Sequence, residues 1–111
     1  MFLLKKQDGL YVEAEIEADK KNVKYLNSIP IQGAHMVPEA IITFVERTQN
    51  TLVLDNAIME EPYSDDSYIR EKQLKSILCM PVIHKNKLSA ILYLENNLSA
   101  GAFTLERQKT L

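Results

Sequence analysis

Two neighbouring segments that are apolar on both faces constrain the fold of this chain most strongly. Ser76–Ile83 and Leu88–Glu95 are rich in β-forming residues and flank the short polar turn 84–87, so they are predicted to pair as a hairpin. Ile77 and Leu78 point to opposite sides of the first strand, and both sides are apolar. Such a strand needs cover on both faces, so we expect the hairpin at the centre of a sheet with other elements packed on each side.

The segments before the hairpin alternate between strand and helix patterns, as in an α+β domain. Phe2–Lys6 and Leu10–Ile16 flank an Asp-Gly turn, and the second alternates apolar and polar residues as a half-exposed strand does. Val23–His35 is predicted to be irregular, because Pro30 and Gly33 interrupt it. The other predicted elements are a helix from Pro38 to about Thr48 closed by Asn50, a strand Thr51–Leu54, a helix from Ser64 to about Lys72, and a last helix capped by Thr104.

The composition is that of one small globular domain. The chain has 111 residues, of which 46% are hydrophobic and 25% charged, which argues against disorder. The net charge of -2 gives no reason to expect nucleic acid or an anionic membrane as a partner, and the apolar runs are too short to span a bilayer. A single cysteine excludes an internal disulfide and suits the cytosol, so a cytoplasmic location is predicted.

The order of motifs along the chain resembles the GAF domain family, the small-molecule sensing modules of signalling proteins. The run L-C-M-P-V-I-H, followed by A-I-L-Y-L-E-N-N-L-S-A-G-A-F-T, is similar to that fold's last hairpin, and P-E-A-I-I-T-F-V-E-R-T, T-L-V-L-D-N-A and D-D-S-Y-I-R precede it in the family's order. The likeness is strongest to GAF domains within very large bacterial hybrid kinases. It implies a GAF-like, PAS-related antiparallel sheet of five or six strands with helices on both faces. By this resemblance residues 1–111 are a single GAF domain fragment with truncated terminal helices.

The resemblance also implies a ligand pocket, for which we expect seven residues. Tyr63 and Tyr68 are favoured, because an aromatic ring with a hydroxyl offers a ligand both area and a hydrogen bond; alternatively, both only cap the core. No cofactor is expected: the segment that carries the bilin-binding cysteine in phytochrome-like members has none here, and the N-K-F-D-E signature of cyclic-nucleotide binders is absent. The expected pocket residues are Val53, Asp55, Tyr63, Tyr68, Ile69, Cys79 and Tyr93.

No catalytic residue or metal site is predicted. Cys79 and His84 differ by an odd number of strand positions, so they project from opposite faces and cannot act as nucleophile and base. His35 and Glu39 have no third ligand close in sequence. The acidic pairs 60–61 and 65–66 are better explained as solvated loop and helix-start residues than as cation ligands.

The sequence therefore predicts a non-catalytic regulatory sensor domain of a signalling protein, a histidine or serine/threonine kinase. Its expected partners are an unknown small molecule, the neighbouring domains of a longer chain, and a second copy in a homodimer that buries the uncovered sheet face. One alternative is a structural dimerisation spacer that binds no ligand. Another is a small enzyme such as the methionine sulfoxide reductases of this fold, which need several cysteines around the pocket.

Overall fold

Six antiparallel strands form one sheet that carries all other elements. The structure is a computed structural model that describes residues 1–15 and 24–103. The strands are β1 Phe2–Lys6, β2 Gly9–Glu15, β3 Lys24–Pro30, β4 Leu52–Leu54, β5 Ser76–His84 and β6 Lys87–Asn96. The helices are α1 Glu39–Thr48 and α2 Ser67–Lys72, with 3-10 turns at Ala57–Met59 and Tyr63–Asp65. The strand order is β3-β2-β1-β6-β5-β4, which confirms the predicted α+β class and sheet.

Both predicted hairpins are present. β5 and β6 pair through the two-residue turn Lys85-Asn86, whose φ angles of 51° and 63° give the backbone twist that suits a tight hairpin. β1 and β2 pair from Lys6 and Gly9 outwards, and the φ of 139° at Gly9 favours glycine there. β1 also pairs with β6, so β6 lies in the middle of the sheet.

The beginning of β5 is buried on both faces, as predicted. Ile77 and Leu78 are both 0% exposed although they point to opposite sides. Near the hairpin turn, Val82 and Ile83 are each 42% exposed. The double cover is therefore limited to the part of β5 close to Ser76, and the prediction of a covered hairpin is wrong for its tip.

One face of the sheet, which we call the helix face, packs against α1 and α2. The strand register places Leu3, Val12 and Ile91 on this face, together with Cys79 and Tyr93. These side chains form one buried cluster with residues of both helices, namely Ile41, Ile42, Val45, Tyr68 and Ile69. Their removal from water is the main stabilising term of the fold.

The other face, which we call the opposite face, is apolar but only partly covered. Phe2 and Leu4 of β1 are 41% and 37% exposed, and they pair with Leu92 and Ala90 of the central strand. In the part of the chain that the structure describes, both α helices lie on the helix face. The final helix expected after Thr104 lies outside the described residues.

The prediction that Val23–His35 is irregular is wrong for Lys24–Pro30, which form β3. This strand pairs with β2 at the edge of the sheet, with Val12 opposite Ile29. Pro30 is tolerated because it is the last residue of an edge strand, where its missing N–H disrupts no inner ladder.

The two helices begin and end a few residues from the predicted positions. α1 starts at Glu39, with Pro38 in the flanking extended position, and closes at Gln49 in the left-handed conformation rather than at Asn50. α2 starts at Ser67, not at Ser64. Its N-cap is Asp66, whose carboxylate accepts hydrogen bonds from the backbone N–H groups of Tyr68 and Ile69 at 2.8 Å and 3.2 Å.

Candidate functional site

Four of the seven predicted pocket residues converge between α2 and the β5–β6 hairpin. Cys79 and Tyr93 are directly opposite each other in the register and project from the helix face. Tyr68 and Ile69, in the first turn of α2, pack onto the same cluster. All four side chains are buried, and Ile69, Cys79 and Tyr93 lie beneath any site in this region rather than in its open wall.

The other three predicted residues lie elsewhere. Val53 is opposite Leu78 in the register and therefore on the opposite face. Asp55 is exposed, and its backbone carbonyl accepts a hydrogen bond from the N–H of Gly101 at 2.9 Å. Tyr63 packs edge-on against Phe44 with ring centroids 6.5 Å apart, in a separate groove of about 560 Å³ outside α1.

A partly buried tyrosine–carboxylate pair dominates the polar chemistry beneath α2. The hydroxyl of Tyr68 donates a hydrogen bond of 2.7 Å to Oε1 of Glu95 on β6. Burial raises the pKa of the Glu95 carboxyl, and the bond from Tyr68 opposes that shift only in part. Burial and the same bond raise the pKa of Tyr68 as well, so the phenol stays protonated and remains a donor.

The hydroxyl of Tyr93 adds a second polar group next to this pair. Tyr93 is 1% exposed, and burial raises its pKa well above the ordinary value. The hydroxyl is close enough to Glu95 to lower the pKa of that carboxyl. Within the described residues it has no partner in full hydrogen-bonding geometry, which is costly for a buried polar group and typical of functional sites.

A cavity of about 370 Å³ opens above the Tyr68–Glu95 pair, between the end of α2 and the end of β6. Its size lies at the lower end of the range for small-molecule pockets. Its lining combines one partly buried carboxylate with a phenol, an ammonium, two amides and two leucines. The lining residues are Tyr68, Lys72, Leu74, Glu95, Asn96, Asn97 and Leu98.

The rim of the cavity is held by side-chain hydrogen bonds to the backbone. Oδ1 of Asn96 accepts from the N–H groups of Leu98 and Ser99 at 2.7 Å and 3.1 Å, which fixes the turn after β6. The fully buried hydroxyl of Ser76 donates to the carbonyl of Ser99 at 2.7 Å and accepts from the N–H of Ala102 at 2.9 Å. The segment 97–102 is therefore attached to the start of β5.

Sequence reasoning missed most of this lining. Only Tyr68 belongs both to the predicted set and to the cavity wall. The sequence pattern places Glu95 only as the last residue of the strand Leu88–Glu95, although it shares the parity of Ile91 and Tyr93, which face the core. A carboxylate in the buried phase of a strand is a signal for a functional group, and it could have identified Glu95.

The structure gives no support to a reactive cysteine. Cys79 is 0% exposed, and burial raises the pKa of its thiol to about 12, so it remains protonated at neutral pH. His84 is exposed at the far end of β5. In residues 1–15 and 24–103, no group of three or more His, Cys, Asp or Glu side chains is arranged to hold a metal ion.

Comparison with known proteins gives one family match and one curated relative. The sequence profile of the GAF domain family matches residues 1–111. A hybrid signal transduction histidine kinase G of Dictyostelium discoideum is 40% identical over 72 residues, which make up 65% of this chain and 2% of that protein. The chain thus spans a very small part of the relative it matches. No helix in the described residues is long and apolar enough to cross a membrane.

Proposed function

The chain belongs to the GAF domain family, and from this premise we propose that it is a non-catalytic sensor domain that binds a small molecule in the cavity between α2 and β6. Domains of this family are generally regulatory. The observation that carries the proposal is the partly buried Tyr68–Glu95 hydrogen bond at the base of the cavity. A carboxylate that is partly removed from water lowers stability unless it is paired, so its position beneath a cavity favours a binding role.

We propose a cytoplasmic signal transduction kinase as the parent protein. The likeness to the Dictyostelium histidine kinase supports a kinase parent, and the single reduced cysteine suits the cytosol. The expected bacterial origin stays a prediction. Within such a parent, a ligand acts by population shift: it favours one arrangement of the domain and thereby biases the attached output domain.

The rim of the cavity offers a direct route for this coupling. Leu98 lines the cavity and belongs to the segment 97–102, and its N–H donates to the side chain of Asn96. The same segment is attached to β5 through Ser76 and to the residue after β4 through the carbonyl of Asp55. A ligand that repositions Leu98 would move this segment relative to the sheet.

A thermal-unfolding screen of small metabolites tests the proposal, with amide chemical shifts used to locate each hit. Hits are expected to perturb Tyr68 and residues 95–98. Tyr68→Phe should weaken their binding about tenfold, the scale of one hydrogen bond to a charged group. Tyr11→Phe is the matched control, since its hydroxyl also donates 2.7 Å to a carboxylate, Asp8, but far from the cavity. Hits that map elsewhere would contradict the proposed site.

A second candidate function is dimerisation, with or without a ligand. The opposite face exposes Phe2, Leu4 and Val82, and an apolar patch on a sheet favours association with a second copy. Light scattering at micromolar concentration should report a dimer that Leu4→Lys dissociates. Met59→Lys should leave it intact, because Met59 is 75% exposed in the 3-10 turn Ala57–Met59 and does not belong to a strand of the sheet. If the unsubstituted chain is a monomer, this candidate function is excluded. If it forms a dimer and binds no ligand, the structural spacer is favoured.

A further inference from the structure

The cavity between α2 and β6 is lined by polar groups of unequal burial, and this inequality points to a ligand class. Resting on the small-molecule site proposed above, we propose that the cavity binds a small organic cation: an ammonium group attached to an apolar body, with the ammonium at Glu95.

The carboxylate of Glu95 is partly buried and lacks a counter-ion at contact distance. Glu95 forms no ion pair within 4 Å in the described part of the chain, where the ion pairs are Lys5–Glu46 and Lys6–Glu13. Lys72 on α2 and the amino group of Met1, next to β1, act on Glu95 only from farther away. An ammonium group in the cavity would supply a paired charge where the carboxylate is desolvated.

Two tyrosines prepare Glu95 to hold that cation. Tyr68 donates directly to Oε1, and the hydroxyl of Tyr93 lies near the same carboxyl without a hydrogen bond of full geometry. Phenol hydroxyls that donate to a carboxylate favour its ionised form. Neither hydroxyl neutralises the carboxylate, so its negative charge remains available to a ligand.

The remaining walls suit an apolar body. Leu74 and Leu98 line the cavity, and Leu98 is 84% exposed although Asn96 fixes the backbone on which it sits. The ring of Tyr68 provides an aromatic wall beside the carboxylate, where a cation is also attracted by the π face. A ligand of this shape would cover Leu98 while its charge meets Glu95.

An anionic ligand fits the same cavity poorly. Lys72 is the basic residue of the lining, and its side chain is exposed, so its charge is largely solvated. Carboxylates act on the tyrosines from three elements: Glu95 on β6, Asp66 at the start of α2 and Glu15 on β2. An anion would therefore enter a region of like charge.

Three probes with the same ring distinguish the ligand classes. Benzylamine, benzyl alcohol and benzoate are titrated separately into the full chain at neutral pH, and binding is followed by amide chemical shifts. Benzylammonium is expected to shift the amides of Tyr68, Lys72 and residues 95–98, and to bind at least about tenfold more tightly than the neutral and anionic probes, as one charge-assisted contact predicts.

Paired variants show whether the contact is with Glu95. Glu95→Gln should weaken the binding of benzylammonium about tenfold or more. Glu71→Gln removes the same charge from an exposed position on α2 and should change the affinity less than about twofold. A dispersed amide spectrum of Glu95→Gln shows that the variant is folded. If it is not, Glu95→Asp takes its place: it keeps the charge but draws the carboxylate back along a shorter side chain, and it should also weaken the binding of benzylammonium.

Each other outcome overturns the cation proposal. If benzoate or benzyl alcohol binds as tightly at the same amides, the cavity is a small-molecule site but the ligand class is wrong. If benzylammonium binds equally well to Glu95→Gln, or if it does not bind at millimolar concentration, the assigned contact is wrong. The sensor function itself is decided separately by the metabolite screen, which is not restricted to amines.

Discussion

On β1, Leu3 and Leu4 carry the same side chain and point to opposite faces of the sheet, yet Leu3 is 0% exposed and Leu4 is 37% exposed. The difference recurs across the sheet. The helix face is closed by α1 and α2, whereas on the opposite face Phe2 and Val82 remain more than a third exposed. Apolar residues at both odd and even strand positions thus indicate that both faces of the sheet need cover. They do not indicate which element or chain provides that cover.

Truncating each leucine in a separate variant tests this comparison directly, and Leu3→Ala gives the largest expected effect. Leu3→Ala should lower the free energy of unfolding by about 3–4 kcal/mol, because it leaves a cavity in the packed helix face. Leu4→Ala should cost less than about 1 kcal/mol in a monomer, because its side chain is already partly in water.

Chemical denaturation of the two variants, at a protein concentration low enough to suppress association, measures both values. Equal losses would mean that the opposite face is covered as completely as the helix face. The sheet would then have no open side.

Ser76 gives the next effect, because it attaches the cavity rim to the sheet. Ser76→Ala removes a fully buried hydroxyl that makes two hydrogen bonds, to Ser99 and Ala102, and should cost about 1–3 kcal/mol. Ser89→Ala is the matched control, since its hydroxyl donates to the carbonyl of Val82 at an exposed position and should cost little. Hydrogen exchange should show faster opening of residues 99–102 in Ser76→Ala only; unchanged exchange there would show that these bonds do not hold the rim.

The central features of the fold could be predicted because they depend on local pattern. The apolar parities of β5 identify a strand buried on two sides, and Lys85-Asn86 and Gly9 identify the turns that pair the strands. Strand β3 was missed because an edge strand has a weak pattern and tolerates Pro30. The start of α2 was misplaced because Ser64 and Asp66 are both good capping residues, and only the preceding 3-10 turn selects Asp66.

The site was harder to predict than the fold. Which of the seven proposed residues share a wall depends on how α2 packs across β6, a contact between segments far apart in sequence. Tyr68 and Glu95 are 27 positions apart, and their hydrogen bond joins a helix to a strand. No local pattern specifies that bond.

Glu95 gives a smaller, pH-dependent effect on the helix face. Its pKa is raised in the folded state from 4.5, so just above that value the folded protein binds more protons than the unfolded chain. The contribution of Glu95 to the free energy of unfolding is therefore fully present below the pKa of this carboxyl in the unfolded chain. It declines as the pH rises through the higher pKa of the folded protein. Tyr68, Tyr93, Lys72 and the Met1 amino group surround the carboxyl and limit the shift.

The pH dependence of the unfolding free energy measures this contribution. Glu95→Gln should remove the decline, whereas Glu71→Gln, with an exposed carboxyl on α2, should retain it. An unchanged slope in Glu95→Gln would mean that the carboxyl is better solvated than its burial indicates.

The smallest expected effect concerns the one thiol of the protein, which reports on the closed face. Cys79 lies among the helix-face residues at 0% exposure, and burial raises its pKa to about 12, so both access and thiolate formation oppose reaction. A thiol reagent such as 5,5′-dithiobis(2-nitrobenzoic acid) should label the native chain only at the rate of unfolding and label it rapidly in denaturant. For the same reason, turnover of free methionine sulfoxide with a thiol reductant should not exceed the buffer blank, and Cys79→Ser should not change that result. Rapid native labelling would show that the helix face opens without unfolding, and turnover that depends on Cys79 would replace the sensor assignment with an enzymatic one.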